Sequence, residues 1–211
     1  MSTLALTLAP PRSRTVARVT FQVACAVAGS LLVAGLAQIQ IHLSFTPVPI
    51  TGQTLGVLLV GAAYGPALGA ATLALYLLEG ILGLPVFAAQ SDGSHLTGLD
   101  VLAFASATGG YLFGFVLASG LVGWLARRGW DRSFRSAIGA MLLGEVVLYT
   151  IGVPWLHHAL PGLTGEPTTW QDTLTAGLYP FIIGDTIKLL LAASMLPGAW
   201  WLLKKSRPEG V

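Results

Sequence analysis

Apolar residues along this chain come in blocks rather than in alternation with polar ones. The blocks cover residues 19–41, 53–64, 66–83, 106–126, 135–153 and 180–203, and the stretches between them hold most prolines and nearly all the charge. Blocks this long and this uniform predict helices surrounded by hydrocarbon, not the one-sided helices of a soluble core. The second block is short, but the apolar FTPVPIT before it extends it, and Gly65-Pro66 makes a tight joint to the third. The expected fold is therefore all-α, a polytopic membrane protein with six transmembrane helices. A five-span arrangement, with the second and third blocks fused as a re-entrant pair, is the alternative.

Composition strengthens the membrane reading. Of 211 residues, 54% are hydrophobic and 9% charged, whereas a soluble domain is about a quarter charged. The apolar run from Val19 to Ile41 is too long for a signal peptide and others follow it, so it reads as a retained first span. The single cysteine, Cys25, lies within that run and excludes an intrachain disulfide or a cysteine zinc cluster.

Charge placement sets the expected orientation. Arg12, Arg14 and Arg18 precede the first span; Arg127, Arg128, Arg132 and Arg135 lie between the fourth and fifth; Lys204, Lys205 and Arg207 follow the sixth. With six spans all three clusters fall on one side, which the positive-inside rule makes cytoplasmic, along with both termini. The opposite loops, 42–52, 84–105 and 154–179, contain no Lys or Arg. The layout is then a tail over 1–18, one transmembrane domain over 19–203 and a tail over 204–211. Basic residues at membrane flanks do not make a nucleic-acid surface. Trp124, Trp130, Trp200 and Trp201 toward the inside, and Trp155 and Trp170 toward the outside, suit an interfacial belt.

Ionisable groups within spans are functional candidates, because each is costly in hydrocarbon: Glu79, Glu145, Asp185 and Lys188. Asp185 and Lys188 are one helical turn apart on a shared face, below the outer surface. Glu79 is expected at similar depth, and Glu145 nearer mid-membrane with Tyr149 one turn outward. Two readings compete for Asp185 and Lys188. One is an ion pair that merely orients the last helix; the other is an acceptor carboxylate and a donor ammonium awaiting a ligand. An apolar pair would pack at least as stably, which favours the ligand. The long, partly apolar outer loops would cover such a site.

Other chemistry is sparse. His42, His95, His157 and His158 all fall in outer loops without an HExxH or paired-carboxylate spacing, so neither metal nor cofactor is expected. Walker A and GxSxG patterns are absent, so the chain carries no ATP motor of its own and no covalent chemistry is expected of it. Ala26, Ser30 and Ala34 form a small-residue stripe on the first span, with Ala24 and Ala28 beside it. Such a stripe lets a helix pack closely, against this protein's own helices or against a partner.

Four segments, taken in order, carry a family resemblance: FTPVPITGQTLGVLLVGAAYGPALGAATLALYLLEGILGLPVF (45–87), ATGGYLFGF (107–115), GVPWL (152–156) and PFIIGDTIKLLLAA (180–193). Together they resemble the BioY family, the biotin-specific S components of energy-coupling-factor transporters. The resemblance implies a six-helix S-component fold with an outward-facing biotin pocket gated by the loop between the first two spans. It implies that Asp185 and Lys188 bind the polar part of biotin. It also implies that Thr108, Gly109, Gly110 and Tyr111 line the pocket, with Gln53 as a further candidate; Glu79 is a substrate-site candidate from its place within a span, not from the resemblance. Ala26, Ser30 and Ala34 would dock a transmembrane coupling subunit, which joins two cytoplasmic ATPases in a prokaryotic plasma membrane. A solitary carrier driven by an ion gradient, with Glu79 or Glu145 as proton relay, is the alternative function. The chain departs from the family pattern at Gly52, Ala107 and Glu79, and in the longer, more acidic AAQSDGSHLTGLD.

Overall fold

A computed structural model of the full chain describes residues 3–11, 14–90, 93–102 and 106–205. Arg12 and Arg207 of the basic clusters, and Ser91 and Asp92 of the acidic loop, lie outside the described residues. The helices are α1 (Leu4–Leu8), α2 (Thr15–Ala37), α3 (Gln53–Tyr64), α4 (Pro66–Ile81), α5 (Gly109–Arg127), α6 (Phe134–Thr164), α7 (Trp170–Gly177) and α8 (Phe181–Lys205). Four of them, α2, α5, α6 and α8, are long and apolar enough to cross a membrane. At 12 and 16 residues, α3 and α4 rise only about 18 and 24 Å, short of a hydrocarbon layer about 30 Å thick.

Three features differ from the sequence expectation. The first apolar block is helical only to Ala37; Gln40–Ile41 (β1) instead pairs antiparallel with Ile50–Thr51 (β2), so a short ribbon joins an otherwise helical fold. Alternating Ile39 and Ile41 in a segment that leaves the helix suits strand better than helix. The second difference is α6, which continues through Pro154 and Pro161 to Thr164 where a loop was expected. The helix survives its prolines because Leu156, Ala159 and Leu160 beyond Pro154 are buried. Burial outweighs the local loss of backbone hydrogen bonds. Third, the stretch treated as an N-terminal tail contains α1, whose Thr3 is fully buried against the α3–α4 joint, its hydroxyl 3.4 Å from the Tyr64 carbonyl.

That joint depends on Gly65, whose φ of +85° favours glycine, with Pro66 opening α4. Close packing centres on α5, which lies against α3, α4 and α6. Gly109 and Gly110 permit it: a Cβ on Gly109 would sit 2.6 Å from the Val101 carbonyl oxygen, and one on Gly110 would run into the Trp155 side chain. Trp155 is accordingly a packing residue rather than a belt residue, its indole N–H donating to the Ser106 carbonyl at 2.9 Å. Trp200 is likewise buried, donating to Asp131 Oδ2 at 2.6 Å, which ties the end of α8 to the α5–α6 turn. Trp124, Trp130 and Trp201 remain exposed.

Candidate functional site

A cavity of about 780 Å³ lies toward the end of the bundle away from the basic clusters. Its base is set by Asp185 and Lys188 of α8 together with Tyr111 and Phe115 of α5 and Leu148 and Tyr149 of α6. Its cover comes from residues 42–49 and Phe87–Gln90, so the long loops do fold over a space. A hydroxyl fastens the first cover: Thr46 donates to the Ala176 carbonyl of α7 at 2.6 Å.

Asp185 is 3% exposed and accepts from three directions. Lys188 Nζ lies 2.5 Å from Oδ1, the Thr54 hydroxyl donates to Oδ1 at 3.0 Å, and the Tyr149 hydroxyl donates to Oδ2. Lys188 donates in addition to the Thr51 carbonyl at 2.8 Å, which links α8 to strand β2 of the cover. A carboxylate offers about four acceptor positions and an ammonium three donors. Among the described residues, then, three acceptor positions of Asp185 and two donors of Lys188 are engaged. By count, one acceptor position of Asp185, on Oδ2, and one donor of Lys188 remain. Desolvated and held by neighbours, they suit a neutral ligand group that carries both N–H and C=O.

Gln53 acts as a hub. It is 6% exposed; its Oε1 accepts from Thr51 at 2.8 Å, and its Nε2 donates at 2.8 Å to the Tyr76 hydroxyl, which donates on to the Val86 carbonyl at 2.9 Å. Phe87 meets the Tyr76 ring edge-on with centroids 5.2 Å apart. The ITGQ and GLPVF segments therefore meet in space through α4. Tyr111 donates to the Gly177 carbonyl at 2.8 Å, which leaves its ring as the face presented to the cavity, set edge-on to Tyr149.

The expected site residues are only partly brought together. Asp185, Lys188, Thr108, Tyr111 and Gln53 line the cavity. Gly109 and Gly110 do not; they stand behind it, packed on Trp155. Glu79, expected at the depth of Asp185 and Lys188, faces the other way, accepting from the Ser30 hydroxyl across the α2–α4 seam. Ser30 is consequently fully buried, with Ala26 and Ala34 half-buried, so the expected docking stripe faces inward. The exposed small residues of α2 are Ala17, Ala24, Ala28 and Gly35.

Sequence reasoning did not assign Thr51, Thr54 and Tyr149 to the Asp185 network. Tyr149 lies one turn outward of Glu145, and Thr54 follows Gln53 in the QTL segment. Nothing local links either to Asp185, which lies 36 and 131 positions further on, respectively. Two of the histidines serve the cover, His95 Nδ1 lying 2.8 Å from the Phe87 carbonyl and His42 Nε2 3.0 Å from that of Ala89, whereas His157 of α6 stacks on Trp170 of α7.

Membrane-length helices around a covered cavity, with a buried ion pair at its base, define a ligand-binding integral membrane protein. The BioY family model matches residues 9–205. The chain belongs to the BioY family. It is 34% identical over 154 residues to "Probable biotin transporter BioY" of Pyrococcus horikoshii, covering 72% of this chain and 81% of that one. With "Biotin transporter BioY" of Thermotoga maritima it shares 33% over 153 residues, again covering 72% and 81%. In fold it is similar to a crystal structure of the S-component for biotin from an ECF-type ABC transporter, with a TM-score of 0.69, 24% identity, and coverage of 90% of this chain and 93% of that one.

Proposed function

We propose that this chain is the substrate-binding membrane subunit of a biotin uptake transporter, capturing the vitamin outside a prokaryotic cell membrane for import powered by partner proteins. The observation that carries this reading is the Asp185–Lys188 ion pair lining a covered cavity, with one carboxylate position and one ammonium donor not taken by described residues. The ureido group of biotin presents an N–H and a C=O to match. Asp185 accepts the ureido N–H, Lys188 donates to its oxygen, and the bicyclic ring lies against Tyr111 and Phe115. The carboxylate tail extends toward Thr108. Gln53 and its partner Thr51 hold the gate strand rather than the ligand.

Six spans are completed by α3 and α4, each lengthened by the apolar segments that flank it. Both termini are cytoplasmic, residues 19–203 form one transmembrane domain, and the basic clusters face inward. The protein does no covalent chemistry; energy comes from two cytoplasmic ATPases through a transmembrane coupling subunit. That subunit docks on the exposed face of α2, where Ala24 and Ala28 permit close approach beside Ala26, while Ser30 and Ala34 support the helix from behind.

The test is to purify the chain from cells without added vitamin and identify by native mass spectrometry what travels with it. Biotin is expected. A different small molecule, retained by the wild type and lost from Asp185→Asn, overturns the assignment.

A further inference from the structure

On the other side of Tyr149 and Asp185 lies a second hollow of about 590 Å³, which faces lipid between α6, α7 and α8. Leu142, Val146, Val153, Leu174, Leu178 and Ile182 make it largely apolar, while Tyr149, Thr150, Asp185 and Thr186 add polar groups to its lining. Glu145 stands out among these. Its residue is nine-tenths buried, it lines this hollow, and its Oε1 has no hydrogen-bond partner. Eleven residues inward along α6 from Phe134 place it about 16 Å from the inner end of the helix, near the middle of a bilayer about 30 Å thick.

An ionised carboxylate there needs a cation. Among the elements packed on α6, the charged groups facing Glu145 are Asp185 and Lys188 of α8. The single positive charge of Lys188 is already balanced by Asp185, and a second of its donors goes to the Thr51 carbonyl. On α5, the Tyr111 hydroxyl donates its hydrogen bond to the Gly177 carbonyl; on α7, Asp172 sits in an exposed capping box with Thr169; α3 has no charged residue. Tyr149, one turn away on α6 itself, donates to Asp185. Two carboxylates and one ammonium within low-dielectric surroundings would leave a net negative charge, with Glu145 the unpaired member. Such a group neutralises itself by taking a proton.

The geometry points to Glu145 as a proton-binding site within the bilayer: its carboxyl is kept as the neutral acid, opens onto the lipid-facing hollow, and is a target for hydrophobic carboxyl reagents. Its neutrality has a use for the neighbouring site. With Glu145 uncharged, Lys188 has one carboxylate to serve and stays on Asp185 and the gate strand. This inference does not depend on which ligand fills the main cavity.

A hydrophobic carbodiimide, dicyclohexylcarbodiimide, distinguishes the alternatives because it reacts with protonated carboxyls reached from lipid. The acid proton passes to a carbodiimide nitrogen, the carboxylate oxygen adds to the central carbon, and acyl migration to nitrogen leaves a stable N-acylurea that retains the whole reagent. The full chain in liposomes at neutral pH should gain the adduct on the peptide containing Glu145, while a water-soluble carbodiimide leaves that residue unmodified. An unmodified Glu145 peptide, or equal labelling by both reagents, overturns the proposal. Infrared spectra give a second readout that needs no reagent. A protonated-carboxyl C=O band that shifts in heavy water and is missing from Glu145→Gln is expected; a spectrum without that band, or one unchanged by the substitution, sinks the idea. Should Glu145→Gln fail to fold, the wild-type peptide map decides alone.

Discussion

Lys188 holds Asp185 at 2.5 Å and, through the same ammonium, holds the carbonyl of Thr51 at 2.8 Å, so one side chain joins the base of the cavity to the strand that closes it. In the proposed reading, capture and closure share a residue, and a ligand bound by Lys188 bears on the position of β2 at the same time.

Asp185→Asn keeps the shape and removes the charge. Lys188 then has no counterion in a place where its side chain is only 13% exposed, and the amide turns one acceptor into a donor. Breaking one partner of a buried pair costs roughly 2–5 kcal/mol of binding. Calorimetry on the purified variant should therefore show biotin affinity lowered by at least about tenfold with the helical content unchanged. Wild-type affinity would remove Asp185 from the contact.

Lys188→Met fills similar volume and cannot donate. The Thr51 carbonyl loses a charge-assisted hydrogen bond of about 1.5–3 kcal/mol. Amide exchange across residues 46–52 should speed up by about tenfold or more, while α5 exchanges as before. Unchanged exchange in the gate would show that the Thr46 to Ala176 bond holds it alone.

How much of this the sequence discloses depends on whether a signal is local. Asp185 and Lys188 announce themselves, since two charges one turn apart in an apolar block are each costly there, and they prove to be paired at the cavity base. The helical blocks are legible for the same reason. Helix ends at 37 and 164 are not, because burial of Leu156 and Leu160 decides one of them against the local message of Pro154. Glu79 shows the limit most clearly. Depth along a helix can be counted, but whether a side chain turns toward α8 or toward Ser30 depends on how α2 and α4 pack, and no spacing within α4 encodes that. Tyr149 and Thr54 are hidden likewise by sequence distance.

Gly110→Ala probes the packing that holds the cavity wall. The added methyl would run into Trp155, which is fixed by its bond to Ser106 and cannot easily yield. Overpacking of this kind costs about 1–3 kcal/mol, so the melting temperature in detergent should fall by several degrees. Gly35→Ala, where no atom lies within 4 Å, is the control and should melt as the wild type does. Equal melting of both variants would mean that α5 and α6 are free to separate.

Asp131 supplies a pH test outside the membrane-spanning segments. Burial raises its carboxyl above the ordinary value, and this outweighs the opposing hydrogen bond from Trp200 and the nearby Arg132. A raised folded-state value means that the folded protein holds this proton more tightly than the unfolded chain does. The contribution to stability is then fully present below the ordinary carboxylate value and is lost as pH rises through the raised one. Asp131→Asn keeps an oxygen to accept from Trp200 and removes the titration. Subtracting the melting temperature of the variant from that of the wild type should give a difference that grows more favourable to the wild type as pH is lowered from neutrality toward 4. A difference that moves the other way would mean that the pairing of Asp131 with Arg132, 3.4 Å away, dominates its burial and lowers the folded-state value instead.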